Sequence, residues 1–190
     1  MSISKLHVIT DDKASHSHPE QVRKVCKGGA DWVQLRCKEV NNYNSLKSIT
    51  IRALELVRSY GAKLMIDDHV HLCKELIDEG YKPDGVHVGK KDMSVHTARK
   101  ILGNSSIIGG TANTFDDIEA LSKDEVDYIG LGPFRFTTTK KKLSPVLGFK
   151  GYKQIISQCV QHNIKIPVIA IGGIRLNDID QLFQTGIHGI

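Results

Sequence analysis

Residues 62–92 read AKLMIDDHVHLCKELIDEGYKPDGVHVGKKD, and this stretch decides the fold. Two short apolar runs, residues 62–66 and 85–88, are each followed at once by polar residues. Asp67-Asp68 follows the first run and Gly89-Lys90-Lys91-Asp92 follows the second. Runs this apolar suit strands covered on both faces, as strands of parallel sheets are. Between them lies a segment with helical spacing, closed by the Lys82-Pro83 turn. Strand, helix and second strand make the repeating unit of an α/β protein.

The same alternation runs outward in both directions. Further strand candidates are residues 6–10, 32–35, 106–109, 128–130, 167–171 and 187–190, each bounded by Gly, Pro or Asp. The longest helical segment repeats Leu46, Ile49, Ala53, Leu56/Val57 and Tyr60 before Gly61 ends it. Pro19 suits a first helical position, Ser94 and Thr114 suit N-caps, and Ile179, Leu182 and Phe183 form an apolar stripe. Seven strand–helix pairs and an eighth strand predict a (β/α)8 TIM barrel as one domain over residues 1–190. A doubly wound open sheet seldom needs eight strands in so short a chain. The sequence stops at Gly189-Ile190, inside strand eight, so that strand is cut short and helix eight is absent. A longer natural chain is the expectation.

Composition narrows the function classes. Of 190 residues, 40% are hydrophobic and 25% charged, the balance of a globular protein. No apolar run approaches the length of a membrane span or a signal peptide, so a cytoplasmic protein is expected. Cys26, Cys37, Cys73 and Cys159 are scattered without metal-site spacing and read as reduced, packed thiols. The His16/His18 and His69/His71 pairs have no evident third ligand for zinc. The net charge of +5 suits an anionic metabolite as well as nucleic acid. With aromatics at 6%, a stacking platform for bases is lacking.

In a barrel of this kind the chemistry sits at the C-terminal ends of the strands. Reading just past each strand gives Asp11-Asp12, then Gln34 to Lys38, Asp67-Asp68, Gly89 to Asp92, Thr111-Ala112-Asn113, Thr137 to Lys140 and Gly172-Gly173. The opposite loops are blander. Such asymmetry points to an active site. Asp68 and Asp92 close adjacent strands, and two hard oxygen ligands completed by water and phosphate suit Mg²⁺. Gln34, Arg36 and Lys38 alternate, which puts them on one face of extended backbone. An Arg fork with Lys charges, Lys140 among them, makes a diphosphate clamp. Thr137-Thr138-Thr139 and Gly172-Gly173 offer a second anion site, and residues 135–148 are long enough to form a lid. No Ser-His-Asp, Cys-His or Walker-type motif is present. The set favours ionisation of a phosphorylated group over a covalent nucleophile.

Taken together, the motifs resemble the thiamine phosphate synthase family, which shares its barrel with the thiazole tautomerases. The matching segments are Gln34-Leu35-Arg36-Cys37-Lys38, Asp67-Asp68, residues 85–93, residues 127–133, Thr137-Thr138-Thr139-Lys140 and residues 166–174, in the family's order. The resemblance implies a Mg²⁺-dependent transferase that joins hydroxymethylpyrimidine diphosphate to thiazole phosphate, giving thiamine phosphate and pyrophosphate. It implies Asp68 and Asp92 as metal ligands, and Arg36, Lys38 and Lys140 as the catalytic cations. Gln34 joins those cations in holding the pyrimidine diphosphate, while Thr137, Thr139 and the Gly173 backbone meet the thiazole phosphate. Asp67 and Thr111 complete the substrate-binding set. In the family's dissociative reaction, pyrophosphate leaves before the thiazole nitrogen captures the pyrimidine cation.

Asp67 stands where the synthases usually have Asn, and Asn113 where they usually have His. The alternative functions are a thiazole tautomerase-like isomerase and a non-catalytic phosphate-binding barrel. The tautomerases rely on that His and tend to lose the Gln-x-Arg-x-Lys set kept here. Expected partners are small phosphorylated molecules, with no nucleic acid and no membrane; a homo-oligomer is left open.

Overall fold

The computed structural model describes residues 2–137 and 144–190. Along them strands and helices alternate as β1 (Val8–Ile9), α1 (His18–Lys27), β2 (Trp32–Leu35), α2 (Tyr43–Ser59), β3 (Lys63–Asp67), α3 (Val70–Asp78), β4 (Gly85–Val88) and α4 (Val95–Leu102). They continue as β5 (Ile107–Ala112), α5 (Phe115–Ser122), β6 (Tyr128–Leu131), α6 (Gly148–Gln161), β7 (Val168–Ala170) and α7 (Ile179–Phe183), the last preceded by a 3₁₀ turn at Leu176–Asp178. The seven strands are parallel and lie in chain order, which is the curled sheet of a TIM-type fold.

Local chemistry accounts for the helix starts. Ser94 accepts the Thr97 N–H, and Thr114 and Asp117 form a reciprocal capping box. Pro19 sits in the first turn of α1, where the Glu20 carboxylate accepts the Ser17 N–H at 3.2 Å and the Ser17 hydroxyl at 3.1 Å. Asn42 caps α2 by accepting the Ser45 N–H at 2.9 Å.

The strands alternate between two cores. Val33, Leu35, Leu64, Ile66, Val86, Val88, Ile108, Ile129 and Leu131 pack outward against the helices. Trp32, Met65, Ile107, Tyr128 and Ile169 point the other way and, with Ile3, fill the barrel interior. Continuous burial along the strands therefore has two sources, as the apolar runs imply. This apolar plug leaves the inward positions nearer the C-terminal ends to polar residues: Gln34, Asp67, His87 and Thr111.

The eighth position is held by very little chain. Residues 188–190 make one isolated bridge, Ile169 with Gly189, in place of a full strand. Even so, they bond on both sides. The His188 and Ala170 amides exchange bonds with the β7 and Gly189 carbonyls at 2.8 Å, while Ile190 exchanges bonds with Lys5 and His7 at 2.8 and 2.7 Å. The short segment thus bridges the seam between β7 and the approach to β1. β1 is shorter than the expected residues 6–10: its ladder with β2 spans Val8–Ile9, with one further bond from the Thr10 N–H to the Gln34 carbonyl at 3.0 Å.

Candidate functional site

At the mouth of the barrel the β2–α2 and β3–α3 junctions converge on one carboxylate. Asp67, the last residue of β3, is 7% exposed and accepts a bond from the Gln34 amide. Its other oxygen lies 3.1 Å from Lys38 Nζ and 3.8 Å from Arg36 Nε. Lys38 also pairs with Asp68. Gln34, Arg36 and Lys38 therefore share a face, and that face is turned to the two aspartates. A buried carboxylate would be costly alone, but here two cations and an amide compensate it.

Asp68 has φ of 62°, in the left-handed region that non-glycine residues seldom occupy. Two successive three-residue turns explain it. The His69 N–H bonds to the Asp67 carbonyl at 2.8 Å, and the Val70 N–H bonds to the Asp68 carbonyl at 2.9 Å. A three-residue turn with positive φ at its centre is rare and strained. The Asp68 N–H is meanwhile held by the His87 carbonyl of β4 at 2.8 Å. The backbone thus spends conformational energy to fix this side chain at the strand end, as strained positions at functional sites do.

A second carboxylate holds the basic loop from the other side. Asp12, just past β1, accepts the backbone N–H groups of Lys38 at 3.1 Å and Glu39 at 3.3 Å. His18 Nε2 lies 3.2 Å from it, and Arg36 3.9 Å. Burial opposes ionisation of Asp12, yet the two N–H groups and the histidine outweigh burial and hold its pKa below the usual range. Thr10 adds a further tie, its hydroxyl accepting the Arg36 N–H at 2.9 Å. Sequence reasoning flagged Asp11-Asp12 only as polar residues past a strand. The signal that Asp12 organises the clamp lies in contacts across 26 residues.

The expected metal pair is arranged less simply than its spacing suggests. Asp92 is exposed and folds back on its own loop, one oxygen accepting the Gly89 N–H at 3.0 Å. Asp68 commits one oxygen to Lys38. Each aspartate retains an oxygen without a protein partner among the described residues. No group of three or more His, Cys, Asp or Glu side chains suited to a metal occurs among those residues. Two carboxylates and no soft ligand fit a hydrated, oxygen-loving Mg²⁺ and not zinc. Asp67 and Asp92 both act on His69, whose pKa is nevertheless pushed down by burial first and by Lys38 second.

The remaining site residues are spread around the rim. Thr111, at the end of β5, is half-buried and touches His87 Nε2 at 2.9 Å. Asn113 donates its amide to the Gly132 carbonyl, and its N–H is held by Asp117 at 2.8 Å. Thr137 is half-buried after β6, while Thr139 and Lys140 lie outside the described residues. Gly173 has φ of 69°, and a Cβ there would press on Arg135 and the Phe136 carbonyl. The β6–α6 and β7–α7 loops are strapped by Arg135, which forks onto Asp178 at 2.8 and 2.9 Å and donates to the Gly173 carbonyl at 2.7 Å. That strap was missed in the sequence, where Arg135 and Asp178 are 43 residues apart.

The four cysteines are all buried and unpaired. Burial, with Asp12 and Asp67 nearby, pushes the Cys37 thiol up to about 12, so it is no thiolate nucleophile at the mouth. No described helix is long and apolar enough to cross a membrane.

Comparison with known proteins identifies the family. A family model described as thiamine monophosphate synthase matches residues 6–190. A thiamine-phosphate synthase of Phocaeicola vulgatus is 50% identical over 186 residues, covering 98% of this chain and 86% of that protein. One from Bacteroides fragilis is 46% identical, covering 97% of this chain and 88% of that protein. The solved structure of a thiamine phosphate pyrophosphorylase from Pyrococcus furiosus superposes with a TM-score of 0.82 at 32% identity, covering 98% of this chain and 83% of the other.

Proposed function

Because the chain belongs to the thiamine monophosphate synthase family, we propose that it condenses hydroxymethylpyrimidine diphosphate with thiazole phosphate, forming thiamine phosphate and releasing pyrophosphate. The observation that carries the reading is the convergence of Gln34, Arg36 and Lys38 on Asp67 beside the strained Asp68. A generic phosphate binder has little use for so much opposed charge on one rim.

Each residue has a task in the substitution. Arg36 and Lys38, joined by Lys140, bind the diphosphate and counter the charge that grows on it as the carbon–oxygen bond breaks. Gln34 and Asp67 position the pyrimidine above the apolar plug, which keeps water from beneath. Thr137, Thr139 and the Gly173 backbone hold the thiazole phosphate, so that the ring nitrogen is delivered to the cationic carbon before water is. Asp68 and Asp92 would hold Mg²⁺, which when bound neutralises diphosphate charge. The partners are these two phosphorylated molecules, met in the cytoplasm, with no nucleic acid involved.

The test is to combine the purified protein with both substrates and Mg²⁺ and to follow thiamine phosphate and pyrophosphate. Equimolar formation of the two is expected. Tight binding of thiazole phosphate without turnover would overturn the reading in favour of a binding barrel.

A further inference from the structure

Beneath the rim lies a polar pair that the clamp and the metal site do not use. His87 of β4 is 6% exposed and points into the barrel, between Tyr128 of β6 below and Thr111 of β5 above. Its Nδ1 lies 3.0 Å from the Tyr128 hydroxyl and its Nε2 2.9 Å from the Thr111 hydroxyl. The barrel makes room for both rings by omitting side chains. A Cβ at Gly109 would fall 2.2 Å from the Tyr128 ring, and one at Gly130 would fall 3.1 Å from His87 Cε1. Both inward positions are glycine in the register rows that face this pair. A core built only for stability would fill such positions with aliphatic side chains.

We infer that His87 is a positioning residue that fixes Thr111 as a hydrogen-bond donor toward an anionic oxygen of the bound substrate. Proton bookkeeping orders the chain. Tyr128 is 1% exposed, and burial raises its pKa, so the phenol keeps its proton. On this proposal the phenol donates that proton to His87 Nδ1, 3.0 Å away. Accepting it at Nδ1 leaves the neutral imidazole with its own proton on Nε2. The Nε2–H then donates to Thr111 Oγ1, occupying a lone pair of that oxygen. Thr111 has one O–H, and with its imidazole side used as acceptor that O–H is directed to the mouth. A donor there suits a phosphoryl oxygen.

The inference rests on the proposed synthase activity, and the experiment separates the two. The wild-type protein is first assayed with both substrates and Mg²⁺; no product there defeats the proposed function and leaves the relay without a reaction to tune. With turnover established, kcat and KM are compared for Thr111→Val, His87→Met, His87→Gln and the Thr111→Val/His87→Met double variant. If His87 acts through Thr111, each of the first two lowers kcat about tenfold, and the double variant stays within about twofold of either single one. His87→Gln, whose amide can still donate to Thr111, recovers most of kcat. Multiplying losses in the double variant, or equal losses in His87→Gln and His87→Met, would overturn the relay. A fold defect is recognised separately, because it would lower the melting temperature and the active fraction of both His87 variants alike.

Discussion

Asp12 accepts the backbone N–H of Lys38 at 3.1 Å, so the loop carrying the basic clamp is anchored to the strand beside it and not to its own strand. Arg36 and Lys38 have long, rotamer-rich side chains, and a loop left loose would have to be ordered at each binding event. Asp12→Ala is therefore expected to raise KM for the pyrimidine diphosphate about tenfold, the worth of one or two charge-assisted bonds. Asp12→Asn, which keeps one acceptor oxygen, is expected to lose less. Steady-state kinetics with the thiazole phosphate saturating checks this, and an unchanged KM in the alanine variant would sink it.

Among the described residues Asp92 bonds only within its own loop, through Gly89, and no described strand depends on it. Asp92→Ala is expected to leave the melting temperature within a few degrees of wild type and to remove Mg²⁺-dependent turnover. Activity that survives both chelation and this substitution would show that the metal assignment is wrong.

Arg135 and Asp178 supply a pH signature. The guanidinium beside Asp178 holds its carboxyl at about 2, below the ordinary 3.8. A carboxylate with a depressed folded pKa contributes stability that is fully present above about 3.8 and is lost as pH falls toward about 2. Asp178→Asn should flatten melting temperature against pH in that window and leave the curve above it parallel to wild type. Equal slopes below pH 4 in both proteins would remove the pair from the account.

His7 acts in the same sense at milder pH. It stacks on Trp32 with ring centroids 4.4 Å apart, and burial lowers its pKa from 6.5 to about 4. Between these values the unfolded chain binds the extra proton and the folded one does not, so stability falls as pH drops from 6.5 to 4. Its Nδ1 and the Trp32 Nε1 are buried without a hydrogen-bond partner among the described residues. His7→Phe keeps the stack and removes the titration. Denaturant midpoints measured from pH 7 to pH 4 should decline more in wild type than in this variant.

Much of this protein was legible in its sequence. The apolar runs at residues 85–88 and 32–35 become strands with those bounds, because burial on both faces imprints a local pattern that no distant residue is needed to read. Ser94 and Thr114 cap helices as expected, since a cap bonds within its own turn. The aspartates after β3 and β4 fall at the mouth because strand direction in a parallel barrel is shared. Residues 6–10 were read less well: the ladder with β2 is confined to Val8–Ile9, with one further bond from the Thr10 N–H to the Gln34 carbonyl.

What the sequence by itself determined is the order of strands, the barrel they form and the rim to which the polar residues belong. All three follow from periodicity and chain direction, which are local. Only the tertiary structure decided which rim residues meet: Lys38 with Asp67 and Asp68, Asp12 with the amides of the clamp, and His87 between Tyr128 and Thr111. Those partnerships depend on the register between neighbouring strands and on the curl that brings inward side chains together. Register and curl are set by the whole sheet at once, so no single stretch of sequence contains them.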